Sequence, residues 1–332
     1  MKRCGLLGEK LGHSYSPAIH AELADYDYRL YEVAPEKLGE FLKDGEFDGL
    51  NVTIPYKKAV IPYCAALSPI AQKLQSVNVL VRRADGTLYG DNADAYGFDA
   101  MVKASGISVE GKKALVLGSG GASATVCAVL NELRARSVTV ISRSGEDNYG
   151  NLDRHADAEI IVNTTPVGMY PNCGVSPVDL RQFPRLAGVL DIVYNPARTA
   201  LVMQAETLGI PYMSGLYMLV AQAKRTAEVF EGHAIVGSET ERIWKKVGRD
   251  RHARQRQEHR GRTPCRSARP RCARQRRGDR RAQWRKLRVP HRKKRRGGVQ
   301  SVGKRGHRRS RQALGYGHRH GRRLRDARGE LR

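Results

Sequence analysis

The chain of 332 residues has 59 Lys+Arg against 33 Asp+Glu, a formal net charge of +26, yet 33 of those bases and only 5 of the acids lie in residues 249–332. Residues 1–248 therefore carry 26 basic and 28 acidic side chains, which excludes reading the folded part as a nucleic-acid binder from total charge. Six cysteines without a C-x-x-C pair argue against a disulfide framework, and no leader or membrane-length apolar run is evident, so the expectation is a soluble, cytoplasmic chain long enough for two domains.

In chain order, the apolar run 4–8 reads as a strand that empties into Gly12-His13-Ser14-Tyr15-Ser16-Pro17. Pro17 suits a helix start, so a helix is expected over 17–23 with Ser16 as its N-cap. Two serines ahead of that helix also suit an anion, a role Ser16 can combine with capping. A strand over 28–33, a short helix over 36–42 and a strand over 49–55 follow, the last closed by Pro55 and placing Lys57 at its carboxyl end. Next come strands at 76–81 and 87–90 around an Asp85-Gly86 turn. Asp91-Asn92-Ala93-Asp94 then opens a helix reaching residue 104; Asp91 is a candidate cap, and Asp94 sits deeper, where a carboxylate can face a cleft.

A second unit begins with the buried strand 114–117, which runs into Gly118-Ser119-Gly120-Gly121-Ala122 and then an Ala/Val/Leu helix. With a further strand at 137–141, this is a βαβ unit whose glycines admit a pyrophosphate to a helix N-terminus. An Asp or Glu accepting the ribose hydroxyls would mark NAD at the end of that strand, and the chain has Ser142-Arg143-Ser144 instead. A guanidinium there suits a 2′-phosphate and favours NADP, unless Arg143 is simply a solvated arginine. Strands are also expected at 158–163, ahead of the loop Thr164-Thr165-Pro166, and at 189–194, stopped by Asn195-Pro196. Helices are expected over 199–208 and from Ser214 toward residue 230, the second presenting Met218 and Gln222 on one face.

Six motifs together resemble the shikimate dehydrogenase family: Ser14-x-Ser16-Pro17, Asn51 to Lys57, Gly90-Asp91-Asn92-x-Asp94, the turn from Gly118, Asn163 to Met169, and Gly215 to Gln222. The resemblance implies an α/β fold with a substrate-binding catalytic domain over 1–100, a Rossmann NADP-binding domain over 101–214, and helices over 215–248 packing back on the first domain. It implies reversible NADPH-dependent reduction of 3-dehydroshikimate to shikimate in aromatic amino acid biosynthesis, by a monomer or homodimer and without a metal. Lys57 and Asp94 correspond to the catalytic pair. Ser14, Ser16 and Tyr194 correspond to groups holding the substrate carboxylate, and Thr53, Asn78 and Gln222 to groups on the ring hydroxyls. Gly118, Ser119, Gly120, Gly121, Ala122, Ser142, Arg143, Thr164, Gly215 and Met218 correspond to the cofactor site. The chain departs from the family in having Ser142-Arg143-Ser144 for Asn-Arg-Thr, Val79 for Thr and Tyr217 for a small residue near the nicotinamide. A quinate-using dehydrogenase and a non-catalytic metabolite-binding relative are the competing readings.

Residues 249–332 lack apolar periodicity and are expected to be a disordered Arg-rich tail. One reading is a basic arm for RNA or an acidic partner. The other comes from back-translation shifted by one base, which permits GMPGSGKSTVG over 251–261, DSDAEIV over 274–281, GKNGEAAFRALENEVI over 292–308 and GMVIATGGGCVTR over 315–328. In that order these resemble shikimate kinase, as though the frame had slipped near Lys245-Lys246.

Overall fold

Short apolar runs punctuated by Gly, Pro and Asp become the strands of two sheets in a computed structural model that describes residues 1–12 and 14–261, with side chains up to Arg249. The first sheet holds β1 (Arg3–Gly8), β2 (Asp27–Glu32), β3 (Gly49–Val52), β4 (Cys64–Leu67), β5 (Val79–Arg82) and β6 (Leu88–Asp91) in the order β2-β1-β3-β5-β6-β4. Strand β1 runs parallel to both β2 and β3, with Cys4 opposite Tyr28 and Gly49. Strand β5 runs antiparallel to both β3 and β6, and β4 pairs parallel with β6. Successive strand residues face opposite layers. Leu7, Leu50 and Leu80 enter one core with Leu38, Leu42 and Phe47, whereas Cys4 and Val79 enter another with Ala93, Ala227 and Phe230.

The second sheet is wholly parallel: β7 (Lys113–Leu117), β8 (Ser137–Ile141), β9 (Ile160–Asn163), β10 (Gly188–Asp191) and β11 (Tyr212–Ser214), in the order β11-β10-β9-β7-β8. Its central strands β7, β9 and β10 are buried on both faces, against Val126 and Val129 on one side and Phe183 and Leu201 on the other, while the edge strands β8 and β11 are partly exposed. The winding reverses between β7 and β9, and such switch points open a crevice beyond the strands' carboxyl ends.

Eight α-helices occur among the described residues: α1 (Ser16–His20), α2 (Leu38–Asp44), α3 (Pro69–Leu74), α4 (Ala93–Ser105), α5 (Gly121–Glu132), α6 (Ala200–Thr207), α7 (Leu216–Glu231) and α8 (Ser238–Gly261). Helix α4 leaves the first sheet for the second, and α7 makes the return journey. They cross closely at Gly97, where a Cβ would lie 2.8 Å from both the Met218 carbonyl oxygen and the Gln222 Cβ. Beyond that crossing α7 lies on the first sheet: Asn51 Nδ2 donates to Thr226 Oγ1 at 3.0 Å, and Lys2 Nζ donates to the Phe230 carbonyl at 2.6 Å. Ile243 of α8 is buried with Ile19, Val220 and Ala223.

Several expectations need adjustment. Ser16 does not cap α1; it is the first helical residue, and its own N–H donates to Ser14 Oγ at 3.2 Å, with Tyr15 at the cap position. The helix ends at His20, three residues short of the predicted end. Strand β5 starts at Val79 because Val77 N donates instead to the Lys57 carbonyl, at 2.8 Å. Helix α8 continues to Gly261, past the expected tail boundary at 249, through Ala, Arg, Gln and Glu, all good helix formers, with the next proline at 264. The rest of the predicted tail, 262–332, lies outside the described residues. Among the described residues no helix is long and apolar enough to cross a membrane, and no group of His, Cys, Asp or Glu is placed to hold a metal ion.

Candidate active site

Strands β1 and β3 are parallel neighbours, so the segments leaving their carboxyl ends share one rim. Ser14 and Ser16 follow β1; Thr53 and Lys57 follow β3. Thr53 N donates to the Leu7 carbonyl at 2.9 Å, fastening the two exits together. Tyr56 is the anchor of the second exit, with its ring 2 % exposed and its hydroxyl donating to the Val33 carbonyl. Lys57, next in sequence, is thereby turned toward the start of α4. Its Nζ donates to Asp94 Oδ2 at 2.6 Å, with 31 % and 19 % of the two side chains exposed.

Asp94 is free to make that pair because Asn92, rather than Asp91, caps α4. Asn92 Oδ1 accepts from the N–H groups of Asp94 and Ala95 at 3.1 and 3.3 Å. The Asp91 carboxylate accepts from Asn92 N at 2.7 Å. Asn78 is 3 % exposed, and its Oδ1 accepts from Ala93 N at 2.7 Å, which fixes the amide and leaves its NH₂ without a partner among the described residues. Three residues from three segments, Lys57, Asn78 and Asp94, thus converge at one helix start.

Beneath Ser16 lies a buried aromatic floor. Tyr28 stacks on His20 with ring centroids 4.1 Å apart, sits within hydrogen-bonding reach of Ser16, and donates from its hydroxyl to Asn51 Oδ1 at 2.8 Å. Burial pushes the His20 imidazole down to about 3, so the ring is neutral. Asn51 in turn holds Thr226, whose hydroxyl donates to the Gln222 carbonyl at 2.9 Å. One chain of bonds therefore runs from the Ser16 floor to the turn of α7 that carries Gln222. The sequence offered no signal for the roles of His20, Tyr28 and Asn51, since partners up to 175 residues apart have no local pattern.

On the second sheet the glycine turn stands at the switch point. Gly118 has φ +103, and a Cβ there would lie 2.8 Å from Thr165 Cγ2 and 3.1 Å from Thr164 Oγ1, so only glycine fits. Thr164 Oγ1 donates to the Leu117 carbonyl at 2.7 Å, which locks the turn from below. Ser119, Gly120 and Gly121 are exposed, nothing approaches a Cβ built on either glycine within 4 Å, and Gly120 caps α5 with its N–H groups open to the surface. These residues fit the phosphates of a dinucleotide. At the end of β8, Arg143 is exposed with no ion-pair partner among the described residues, while the Ser142 hydroxyl accepts from Gly145 N at 2.8 Å and shapes the loop.

The rims of the two sheets meet where Tyr15 packs edge-on against Tyr194, ring centroids 5.8 Å apart. The loop bearing Tyr194 rests on Asp191, a residue that sequence reasoning missed. Asp191 is fully buried, accepting from Asn163 Nδ2 at 2.9 Å, Val193 N at 3.0 Å and Thr199 Oγ1 at 2.6 Å; burial nevertheless pushes its carboxyl up to about 6. Gly215 and Met218 begin α7 beside this loop, Gly215 N donating to the Val193 carbonyl at 3.2 Å. Tyr217 packs edge-on against Trp244 of α8, with centroids 5.6 Å apart, so this departure from the family pattern is accommodated on the α8 side.

A wholly parallel sheet with a glycine turn at its switch point, joined by α4 and α7 to a mixed sheet whose rim carries a lysine–carboxylate pair, is the architecture of a two-domain α/β dehydrogenase. Residues 6–80 match the family model described as shikimate dehydrogenase substrate binding domain. The chain is 34 % identical over 268 residues to the shikimate dehydrogenase (NADP(+)) of Clostridium perfringens, covering 74 % of this chain and 98 % of that relative. A chorismate mutase/shikimate 5-dehydrogenase fusion protein from Clostridium acetobutylicum superposes with a TM-score of 0.72 at 33 % identity, over 76 % of this chain and 98 % of the other. Shikimate 5-dehydrogenase of Thermus thermophilus, solved with NADP(H) and shikimate, superposes with a TM-score of 0.67 at 31 % identity, over 74 % and 99 %. The chain belongs to the shikimate dehydrogenase family.

Proposed function

We infer that this chain is an NADP-dependent shikimate dehydrogenase that reversibly reduces 3-dehydroshikimate to shikimate, with Lys57 and Asp94 as its catalytic pair. The 2.6 Å contact between them carries the reading. A ketone accepting a hydride develops negative charge on its oxygen and then needs a proton, and the Lys57 ammonium supplies both neutralisation and proton. Asp94 orients the ammonium and accepts from the hydroxyl that forms. Bound NADPH supplies the hydride. Gly118 to Ala122, with the N-terminus of α5, would hold its pyrophosphate; Thr164, Gly215 and Met218 would line its nicotinamide side, and Ser142 and Arg143 its 2′-phosphate.

The Ser14 and Ser16 hydroxyls beside Tyr194 suit a carboxylate, supported by the Tyr15–Tyr194 contact. Thr53, Asn78 and Gln222 suit ring hydroxyls, Asn78 as a donor because its oxygen is already engaged. The substrate domain is assigned to 1–100, the cofactor domain to 101–214 and the returning helices to 215–248, in a monomer or homodimer working in the cytoplasm.

The assay follows NADPH absorbance with 3-dehydroshikimate and separately with 3-dehydroquinate. Oxidation of NADPH by the first and not the second is the expected result. Turnover of dehydroquinate at an equal rate would shift the reading to a quinate/shikimate dehydrogenase, and no turnover of either would leave a binding protein.

A further inference from the structure

The last segment of the chain that the family fold uses is the start of α8, with Ile243 buried and Lys246 paired to Glu22 at 2.6 Å. The charge balance changes abruptly just beyond it: 33 basic and 5 acidic residues fill 249–332. We propose that the gene continues there, one base out of frame, into a P-loop phosphotransferase domain that takes a nucleoside triphosphate and phosphorylates a hydroxyl.

A lone G-x-x-x-x-G-K-[ST] is a weak signal; what confirms it is a strand directly before and a helix directly after. Reading from the second base of each codon, residues 247–270 permit the continuous string LVVI-GMPGSGKSTVG-ARLADRLG. The first four residues are the apolar, β-branched run a buried strand requires. The middle is a complete P-loop, whose glycines and lysine would cradle phosphates. The two Leu of the last part fall four and eight positions after the Val that closes the middle one, a helical face, and the run ends on Gly. In the frame as translated, the same stretch has neither the glycines nor the lysine of that loop, and its density of Arg is what GGN glycine codons and their neighbours yield when displaced.

The transfer would break the bond between the γ-phosphorus and the β–γ bridging oxygen, form one from the acceptor oxygen to that phosphorus, and release ADP and the hydroxyl proton. Covalent linkage to a dehydrogenase makes that enzyme's hydroxylated product the natural acceptor. This choice of acceptor, though not the P-loop, rests on the function proposed above.

The codons decide the matter. The P-loop requires Arg251 and Arg256 to be CGG or AGG, Gln257 to be CAA and Glu258 to be GAG. Sequencing genomic DNA across Trp244 to Pro270 should show those four codons and one surplus base in the adenine-rich Lys245-Lys246 pair. Any other codon at the four positions, or a stop in the shifted frame before residue 332, overturns the proposal and returns the tail to a basic arm. The full chain with the surplus base removed should release ADP from ATP on adding shikimate, at least a hundredfold above the chain as translated. Correct codons without that release would overturn the acceptor. A failed dehydrogenase assay alongside shikimate-dependent ADP release would instead count against the proposed dehydrogenase function.

Discussion

Replacing Lys57 by Ala removes the ammonium that lies 2.6 Å from Asp94 Oδ2. The structural cost should be small: with 31 % and 19 % of the two side chains exposed, the pair belongs near the surface range of about 0–1 kcal/mol. At about 2–4 °C per kcal/mol for a chain of this size, Tm should fall by no more than about 4 °C. The chemical cost should be large, since a positioned proton donor contributes about 10²–10⁴-fold, equivalent to about 3–5 kcal/mol of barrier. Lys57 belongs to the turn after β3 and not to the glycine turn, so the affinity for NADPH should not change. Steady-state kinetics with 3-dehydroshikimate, NADPH titration and thermal melting on the same preparation separate these terms. A folded variant retaining kcat within tenfold of the parent would refute the role of Lys57. A loss of activity matched by a fall in Tm well beyond 4 °C would show that the pair acts on the fold.

Arg143→Ala should raise KM for NADPH by about 10- to 100-fold, from loss of a charge-assisted hydrogen bond worth about 1.5–3 kcal/mol, and leave KM for NADH unchanged; equal effects on both cofactors would make Arg143 a solvated arginine. Gly118→Ala forces a Cβ to 2.8 Å from Thr165 Cγ2 at φ +103, which should cost about 1–3 kcal/mol in urea unfolding and weaken NADPH binding together; an unchanged variant would contradict the geometry of the turn. Asp191 is pushed up to about 6 from the ordinary 3.8 by burial, so its neutral form favours folding: the contribution is full below 3.8 and lost as pH rises through 6, about 3 kcal/mol in all. Asp191→Asn should therefore remove a decline in ΔG of unfolding between pH 4 and 6, and a variant with the parent's slope would place the titration elsewhere.

Strands and their order of occurrence were readable because each apolar run is closed by a proline, a glycine or a charged turn, as at Pro55, Gly86 and Gly118. The glycine turn was legible for the same reason: it sits between a strand and a helix, all local. What escaped was set at long range. Nothing near Asp191 announces that Asn163, 28 residues earlier, and Thr199 converge on it to hold the loop of Tyr194. Likewise the ties from Tyr28 through Asn51 to Thr226 join three segments whose sequences each look like ordinary strand or helix. The glycine turn, Arg143 and the serine pair were readable from their own surroundings, whereas the catalytic role of Lys57 and Asp94 and the substrate roles of Thr53, Asn78, Tyr194 and Gln222 came from the family resemblance; by itself Lys57 was a lysine at the end of a strand.

The start of α4 shows why local reading could not divide the work among Asp91, Asn92 and Asp94, each of which is an acceptable cap by type. A helix leaves its first N–H groups without intrahelical partners. Asn78 Oδ1 takes the one at Ala93, and Asn92 Oδ1 takes those at Asp94 and Ala95. With these donors met by two neutral amides, the Asp94 carboxylate is not consumed in capping. The Asp91 carboxylate takes the N–H of the cap residue, Asn92, and lies 3.9 Å from the Arg225 guanidinium, while Asp94 presents its charge to an ammonium 37 residues back along the chain. Had Asp94 been the cap, its oxygens would face backbone N–H groups, and Lys57 would lack the partner that holds it. The assignment thus depends on Asn78, which arrives from β5's approach and is invisible in the helix's own sequence. Asn78 therefore fixes the start of the helix with its oxygen, while its NH₂ has no partner among the described residues.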